Sequence, residues 1–357
     1  MKSGWVITLV ICILAAGCKT TQKPVDQELS EIRLENFPEA KRVDVTVEGL
    51  LFTSYWYSDT LEKPFLLPVV AADGVTITRG YPILPGIGES TDHMHHTGFW
   101  FAYGNVNGVD FWGNSREIPA ADRSKYGRIR FRNIEKMKSL PGRGILAVNQ
   151  DWVNPDGTVP IKEKTGFVFY ASKDYRIIDR ITTLTAQVPE VLFADTKEGA
   201  FAIRVAKFLE MPANEPATFT DAAGKVTSIA VNREGMANGN YLSSEGIKGA
   251  SVWSTRAKWM KLYSVTGTDT VSIVFMDHPS NLNYPTFWHA RGYGLFSANP
   301  FGQRDFTGGK EVLNFKLKKG ESITFRHRIL IKSGMNCTHG ESGKSWKDFS
   351  TWNGSLR

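Results

Sequence analysis

The sequence predicts an all-β protein, a large antiparallel β-sandwich of two packed sheets, and three observations carry that expectation. Strand-length runs rich in β-branched and aromatic residues recur along most of the chain. Several are joined by short turns of Gly, Asn, Asp and Pro, the mark of hairpins. Amphipathic helical periodicity is scarce, and repeated hairpins without intervening helices argue a sandwich.

Taken in order, residues 43–57 (VDVTVEGLLFTSYWY) are β-rich and 75–84 (VTITRGYPIL) alternate apolar and polar positions. The run 98–113 (GFWFAYGNVNGVDFWG) places Phe99, Phe101 and Tyr103 on one face. It then reaches Asn107-Gly108, a dipeptide that tolerates the positive φ of a hairpin turn. Residues 145–170 form two runs around Asn154-Pro155-Asp156-Gly157, and 175–187 and 200–209 continue the pattern. Two further hairpins are expected over 261–278, turning at Gly267-Thr268-Asp269, and over 313–331, turning at Lys319-Gly320-Glu321. Short helical turns are expected near 28–35 and 115–124, with a helix near 340–352.

The N-terminal segment reads as an export signal. Lys2 precedes an apolar run, Trp5 to Ile13, that is too short to span a bilayer. Ala15-Ala16-Gly17 before Cys18 resembles a bacterial lipobox, in which the cysteine is acylated and becomes the new N-terminus. The expected organisation is a lipoprotein signal at 1–17, a polar tether at 18–39, one β-sandwich domain at 40–335 and a C-terminal extension at 336–357. The expected location is the cell envelope, with a lipid anchor as the membrane partner. Of the three cysteines, cleavage removes Cys12 and acylation consumes Cys18, so Cys337 has no intrachain partner. The formal charge of +7 is spread without a dense run, and no nucleic-acid motif is present.

Three segments could carry chemistry. TDHMHHTGFW (91–100) holds three of the seven histidines. If extended, it projects His93 and His95 to one face and His96 to the other. A His-x-His pair can share a metal, with a third ligand from His278, His289, Glu198 or Asp110. It can equally serve acid–base chemistry, because imidazole titrates near neutrality. FADTKEGAFAIRVA (193–206) offers Asp195 or Glu198 as the opposing carboxylate, or merely as turn residues before a strand. DHPSNLNYPTFWHARGYGLFSANPFG (277–302) is loop-like at first yet holds Trp288, His289, Arg291 and Tyr293. An indole face packs against the C–H face of a pyranose while polar neighbours bind its hydroxyls, so this composition suits a sugar site. The alternative is that Trp288 and Tyr293 are core aromatics and Arg291 a structural ion pair. GYGLFS (292–297) lacks dinucleotide-binding spacing, and neither a Gly-x-Ser-x-Gly elbow nor a Walker loop occurs.

DHMHHTGFWFAYGNVNGVDFWG, DTKEGAFAIRVA and HPSNLNYPTFWHARGYGLFSANPFG, in that order, resemble the PmoA-like family of bacterial proteins of unknown function. The resemblance covers roughly residues 40–335. The family pattern runs Asp-His-Pro-His-His-Arg-Gly, and here Met94 stands at the Pro and Thr97 at the Arg. The resemblance implies a galactose-mutarotase-like sandwich and raises the expectation of a saccharide ligand. The methane-oxygenase activity in the family label belongs to an integral membrane protein and is not carried over.

The reading that results is an exported lipoprotein acting on carbohydrate as a hydrolase, lyase or epimerase. His93, His95, His96, Glu198 and His289 are the expected catalytic set. Trp100, Asp110, Arg204, His278, Trp288 and Arg291 are expected to bind substrate, with Trp100 or Trp288 as the stacking platform. No cofactor is expected, a divalent metal being the open possibility. The rival readings are a glycan-binding module without turnover and a metal-dependent enzyme using the His-x-His-His cluster.

Overall fold

Alternating strands linked by tight turns pair with their sequence neighbours, and here they assemble two eight-stranded antiparallel sheets. The computed structural model describes Met1 and residues 30–213, 217–220, 226–229, 237–266 and 269–356. The rest of the expected signal, Cys18, most of the expected tether and Gly267-Thr268 of one expected turn lie outside the described residues.

The strands begin with β1 (Ile32–Phe37), β2 (Arg42–Val47), β3 (Leu50–Trp56), β4 (Phe65–Val69), β5 (Glu89–Ser90), β6 (Phe99–Tyr103) and β7 (Arg128–Leu140). They continue with β8 (Arg143–Val153), β9 (Ile161–Ala171), β10 (Tyr175–Ala186), β11 (Glu190–Phe193), β12 (Gly199–Arg204), β13 (Ala217–Thr220) and β14 (Val226–Ile229). The last are β15 (Asn240–Ser243), β16 (Trp259–Thr266), β17 (Asp269–Asp277), β18 (Phe287–Ala290), β19 (Leu295–Asn299), β20 (Phe315–Lys318) and β21 (Ser322–Lys332). One sheet has the order β1-β2-β3-β4-β6-β12-β19-β18, the other β15-β16-β17-β21-β10-β9-β8-β7.

The sheets meet through aromatic side chains. Phe99 packs on Phe201 with centroids 4.4 Å apart, and Phe201 meets Phe275 of the opposite sheet at 5.1 Å. Phe101 reaches Trp152 and Phe325 across the same gap. Each fully buried Phe contributes on the order of 1.5–3 kcal/mol of apolar burial. An ion pair also lies in this interior. Arg180 donates to Glu163 at 3.0 Å, and the Gln150 and Trp152 side chains donate to the same carboxylate.

Most strand expectations hold, and four differ. The run 75–84 forms no strand, only isolated bridges from Thr76 to Val70 and from Thr78 to Val205. The described part of the segment 28–35 holds no helical turn, because β1 begins at Ile32 within the stretch read as tether. Ile32 and Leu34 alternate inward and lie over Gly144 of β8, where a Cβ would come within 2.4 Å of Leu34. The runs around Lys319-Gly320-Glu321 turn tightly but do not pair with each other: β20 pairs with β11, and β21 with β10 and β17. The histidine segment is a turn rather than extended chain, as described below.

The C-terminal extension forms the expected helix, α2 (His339–Ser350), opened by a Thr338–Glu341 capping box. A four-residue helix, α1 (Gln303–Phe306), precedes it in the chain. α2 covers an outer cluster of Trp259, Val274, Met276, Leu330 and Cys337 with Phe349. No helix among the described residues is long and apolar enough to cross a membrane.

Candidate functional site

Strand alternation decides which side chains reach the site. In the first sheet Phe99, Phe101, Phe201 and Trp288 face the second sheet. Their neighbours Trp100, Arg204 and His289 therefore lie on the outer face. The register agrees, with Trp100 opposite Ala202 and His289 opposite Ser297. The segments 79–98, 104–127 and 291–294 close over that face and leave a cleft of about 700 Å³.

Residues 92–96 form a turn. His93 has a φ of 46° and its carbonyl accepts from the His96 N–H at 2.9 Å, so the three imidazoles crowd together instead of alternating. The His93 and His96 rings stack at 4.7 Å, and His95 sits edge-on to His96 at 4.3 Å. Two buried arginines clamp the turn. Arg79 donates to the carbonyls of Ser90, Asp92, His93 and His96. Arg204 donates to Asp92 Oδ1 at 2.8 Å and to Ser90 Oγ, and its Nη1 lies 3.4 Å from His96 Nδ1. Asp92 also receives His93 Nδ1 at 2.5 Å. Burial alone would raise the Asp92 carboxyl, but His93, Arg204 and Arg79 hold it far below the usual carboxylate range.

The remaining walls come from the two other segments singled out in the sequence. Glu198 precedes β12, while Arg291 and Tyr293 occupy the four-residue turn between β18 and β19. Tyr293 stacks on His93 at 5.0 Å, and Arg204 lies over its ring at 4.9 Å. His289 Nδ1 is 2.9 Å from the Lys197 carbonyl, so Nδ1–H donates and Nε2 carries the free lone pair. Asp110 Oδ1 accepts the backbone N–H groups of Trp112 and Gly113. Burial keeps His289, His95 and His96 neutral: His289 is pushed down to about 4, and His95, also repelled by Lys63, to about 2. His96 is likewise held well below the ordinary value, by burial and by His95. Burial pushes the Glu198 and Asp110 carboxyls up. The cleft thus offers the neutral His95, His96 and His289 imidazoles, two carboxyls that hold a proton more readily than a free carboxyl does, and the Arg291 guanidinium.

The structure brings His93, His95, His96, Asp110, Glu198, His289 and Arg291 to one cleft. Arg204 lies behind it as a clamp rather than in it. Trp100 is fully buried beneath His96, at 5.5 Å, and is no platform. Trp288 is also core: its indole N–H donates to the Ala257 carbonyl and its ring meets Phe275. His278 belongs to the second sheet's far end, bonded to Ser280 and packed on Phe349. Asp195 is a turn residue that accepts the N–H groups of Arg304, Leu313 and Asn314. Sequence reasoning missed Arg79, Trp112, Tyr126 and Lys197, and it named Tyr293 without a role. Among the described residues no group of three or more His, Cys, Asp or Glu side chains is arranged to hold a metal.

These features define an all-β sandwich protein with a histidine-lined cleft on one outer face. The chain belongs to a family of unknown function (DUF6807), whose profile matches residues 42–347. That description carries no PmoA-like label. No curated protein matches the chain. Among solved structures it is similar to the GH36 α-galactosidase AgaB from Geobacillus stearothermophilus, at 9% identity and TM-score 0.37, covering 86% of this chain and 42% of that one. It is similar to a galactose mutarotase-like protein from Clostridium acetobutylicum, at 11% and 0.35, covering 85% and 98%. It is also similar to galactose 1-epimerase from Lactobacillus acidophilus, at 7% and 0.36, covering 86% and 99%. The chain spans about two-fifths of the length of the α-galactosidases it matches, 41% and 42%. The all-β sandwich stands on the sheets themselves, and these weak likenesses add nothing about the site.

Proposed function

We propose that the cleft binds a saccharide and moves a proton on it, as a carbohydrate-acting hydrolase, lyase or epimerase. The observation that carries this reading is a neutral imidazole and a carboxyl raised by burial lining one cleft. His289 is neutral with its Nε2 lone pair free, while burial favours the protonated form of Glu198. His289 acts as the base and Glu198 as the opposing acid, Arg291 fixes a hydroxyl or carboxylate, and Tyr293 supplies the apolar wall that Trp100 and Trp288 do not.

The test begins with a thermal-shift screen of the full chain against monosaccharides, uronic acids and short oligosaccharides. Turnover of any ligand found is then followed by NMR. His289→Gln and Glu198→Gln are each expected to lower kcat by about 10²–10⁴-fold, the usual worth of a general acid or base. Folded variants that keep wild-type turnover would sink the assignment. A ligand that binds without turning over would leave a glycan-binding module instead.

The chain is also proposed to be an exported lipoprotein, on the strength of the short apolar run and the Ala15-Ala16-Gly17-Cys18 sequence. Cys18→Ser is expected to move it from the membrane to the soluble fraction. A variant that stays with the membrane would remove the anchor.

A further inference from the structure

We infer that the saccharide acted on is an aryl glycoside or aryl conjugate, its aromatic group occupying a second cavity that shares a wall with the histidine-lined cleft. This inference rests on the saccharide reading above and names the substrate class for the same site. The second cavity, of about 470 Å³, lies between β3, β4 and the segments 79–84 and 114–116. Its apolar lining comes from Ala40, Trp56, Leu61, Phe65, Pro82 and Ile83. An apolar cavity of about 150 Å³ already accommodates a benzene-sized ring. Trp56 is held for this role: its indole N–H donates to the Leu67 carbonyl at 2.7 Å and Arg42 lies over its ring.

The two spaces share a wall. Met94, His95 and Ser115 line both of them, so the tip of the histidine turn is the partition. In the arrangement inferred, the aglycone of a sugar in the first cleft extends past His95 into the second. Charged side chains also line it, Glu62, Lys63 and Arg116. Lys63 is buried there with its ammonium over the Trp100 ring, and it makes one hydrogen bond among the described residues, to the Trp112 carbonyl at 3.1 Å. An ammonium has three N–H donors, so a phenolic or nitro oxygen on the ring finds a partner. A wholly aliphatic occupant would leave those donors unmet.

The experiment uses the full chain and matched pairs of methyl and 4-nitrophenyl glycosides of glucose, galactose, mannose, xylose and glucuronic acid, both anomers, by titration calorimetry. For the sugar recognised, the aryl member is expected to bind at least about tenfold tighter, from burial of the ring. Thr60→Trp fills the second cavity from its exposed rim, and it should abolish that advantage while leaving the methyl glycoside's affinity unchanged. Ser58→Trp repeats the test from another wall should the first variant misfold. Equal affinity for both members of a pair overturns this inference and leaves the saccharide reading standing. Tight binding of free 4-nitrophenol with no gain from the sugar also overturns it. Failure of every pair removes the saccharide reading and this inference with it.

Discussion

His289 and His95 stay neutral in the fold because burial, more than any neighbouring cation, disfavours their charged forms. In the unfolded chain both titrate near 6.5, whereas in the fold they resist protonation down to about 4 and about 2. Below pH 6.5 the unfolded chain therefore binds the extra protons, and stability falls as pH falls towards those values. Asp277 works the other way. Burial pushes its carboxyl up to about 7, so its contribution weakens as pH rises through that value. The histidine effect must accordingly be read from differences between variants. The gap in Tm between wild type and His289→Gln is expected to narrow steadily from pH 7 to pH 4.5, and a gap constant across that range would refute the burial argument. At this scale the sequence was half legible. It flagged Trp288 and His289 together, but adjacent strand residues face opposite ways, so one became core and the other site. His278 was drawn in by its proximity along the chain to that segment, yet β17 belongs to the other sheet.

The turn at 92–96 shows what an element requires beyond its own residues. His-x-His spacing suggests alternation only if the chain is extended, and here a clamp from elsewhere overrides that. Arg79 satisfies four carbonyls of the segment 90–96 from a strand-like run that sequence reading treated as simple alternation. One signal was available: an arginine standing at an inward position of that run. Arg79→Met is expected to cost about 3–5 kcal/mol in urea unfolding, as for loss of one partner from a buried charged network. Arg79→Lys should recover only part, because an ammonium lacks the planar fork that bonds several carbonyls at once. A loss below about 1 kcal/mol for Arg79→Met would show that the turn holds itself. Hairpins with strong turn dipeptides, such as β8–β9 about Asn154–Gly157, were legible because their register is local. The divergence of β20 and β21 was not, because partner choice depends on strands more than a hundred residues away.

Across the whole molecule, the outer faces of the two sheets are covered differently. The site rests on the outer face of the first sheet, while α2 seals the outer face of the second with Phe349 and Cys337. Composition and hairpin spacing made the two-sheet architecture readable, since both report on short-range order. Which outer face bears the cleft could not be read, because it depends on where the connecting segments fold back. Phe349→Ala should cost about 3–5 kcal/mol by cavity formation, with ligand affinity in the histidine cleft unchanged. A parallel loss of affinity would show that the sheets are coupled. The four-residue turn bearing Arg291 and Tyr293 is anchored at both ends by the β18–β19 pair, with Gly294 at a φ of 94° and the Arg291 N–H donating to the Leu295 carbonyl. It is thus an exchangeable cassette. Grafting a different turn between Ala290 and Leu295 rewrites two contacts of the cleft in one evolutionary step, leaving the strands that carry it untouched.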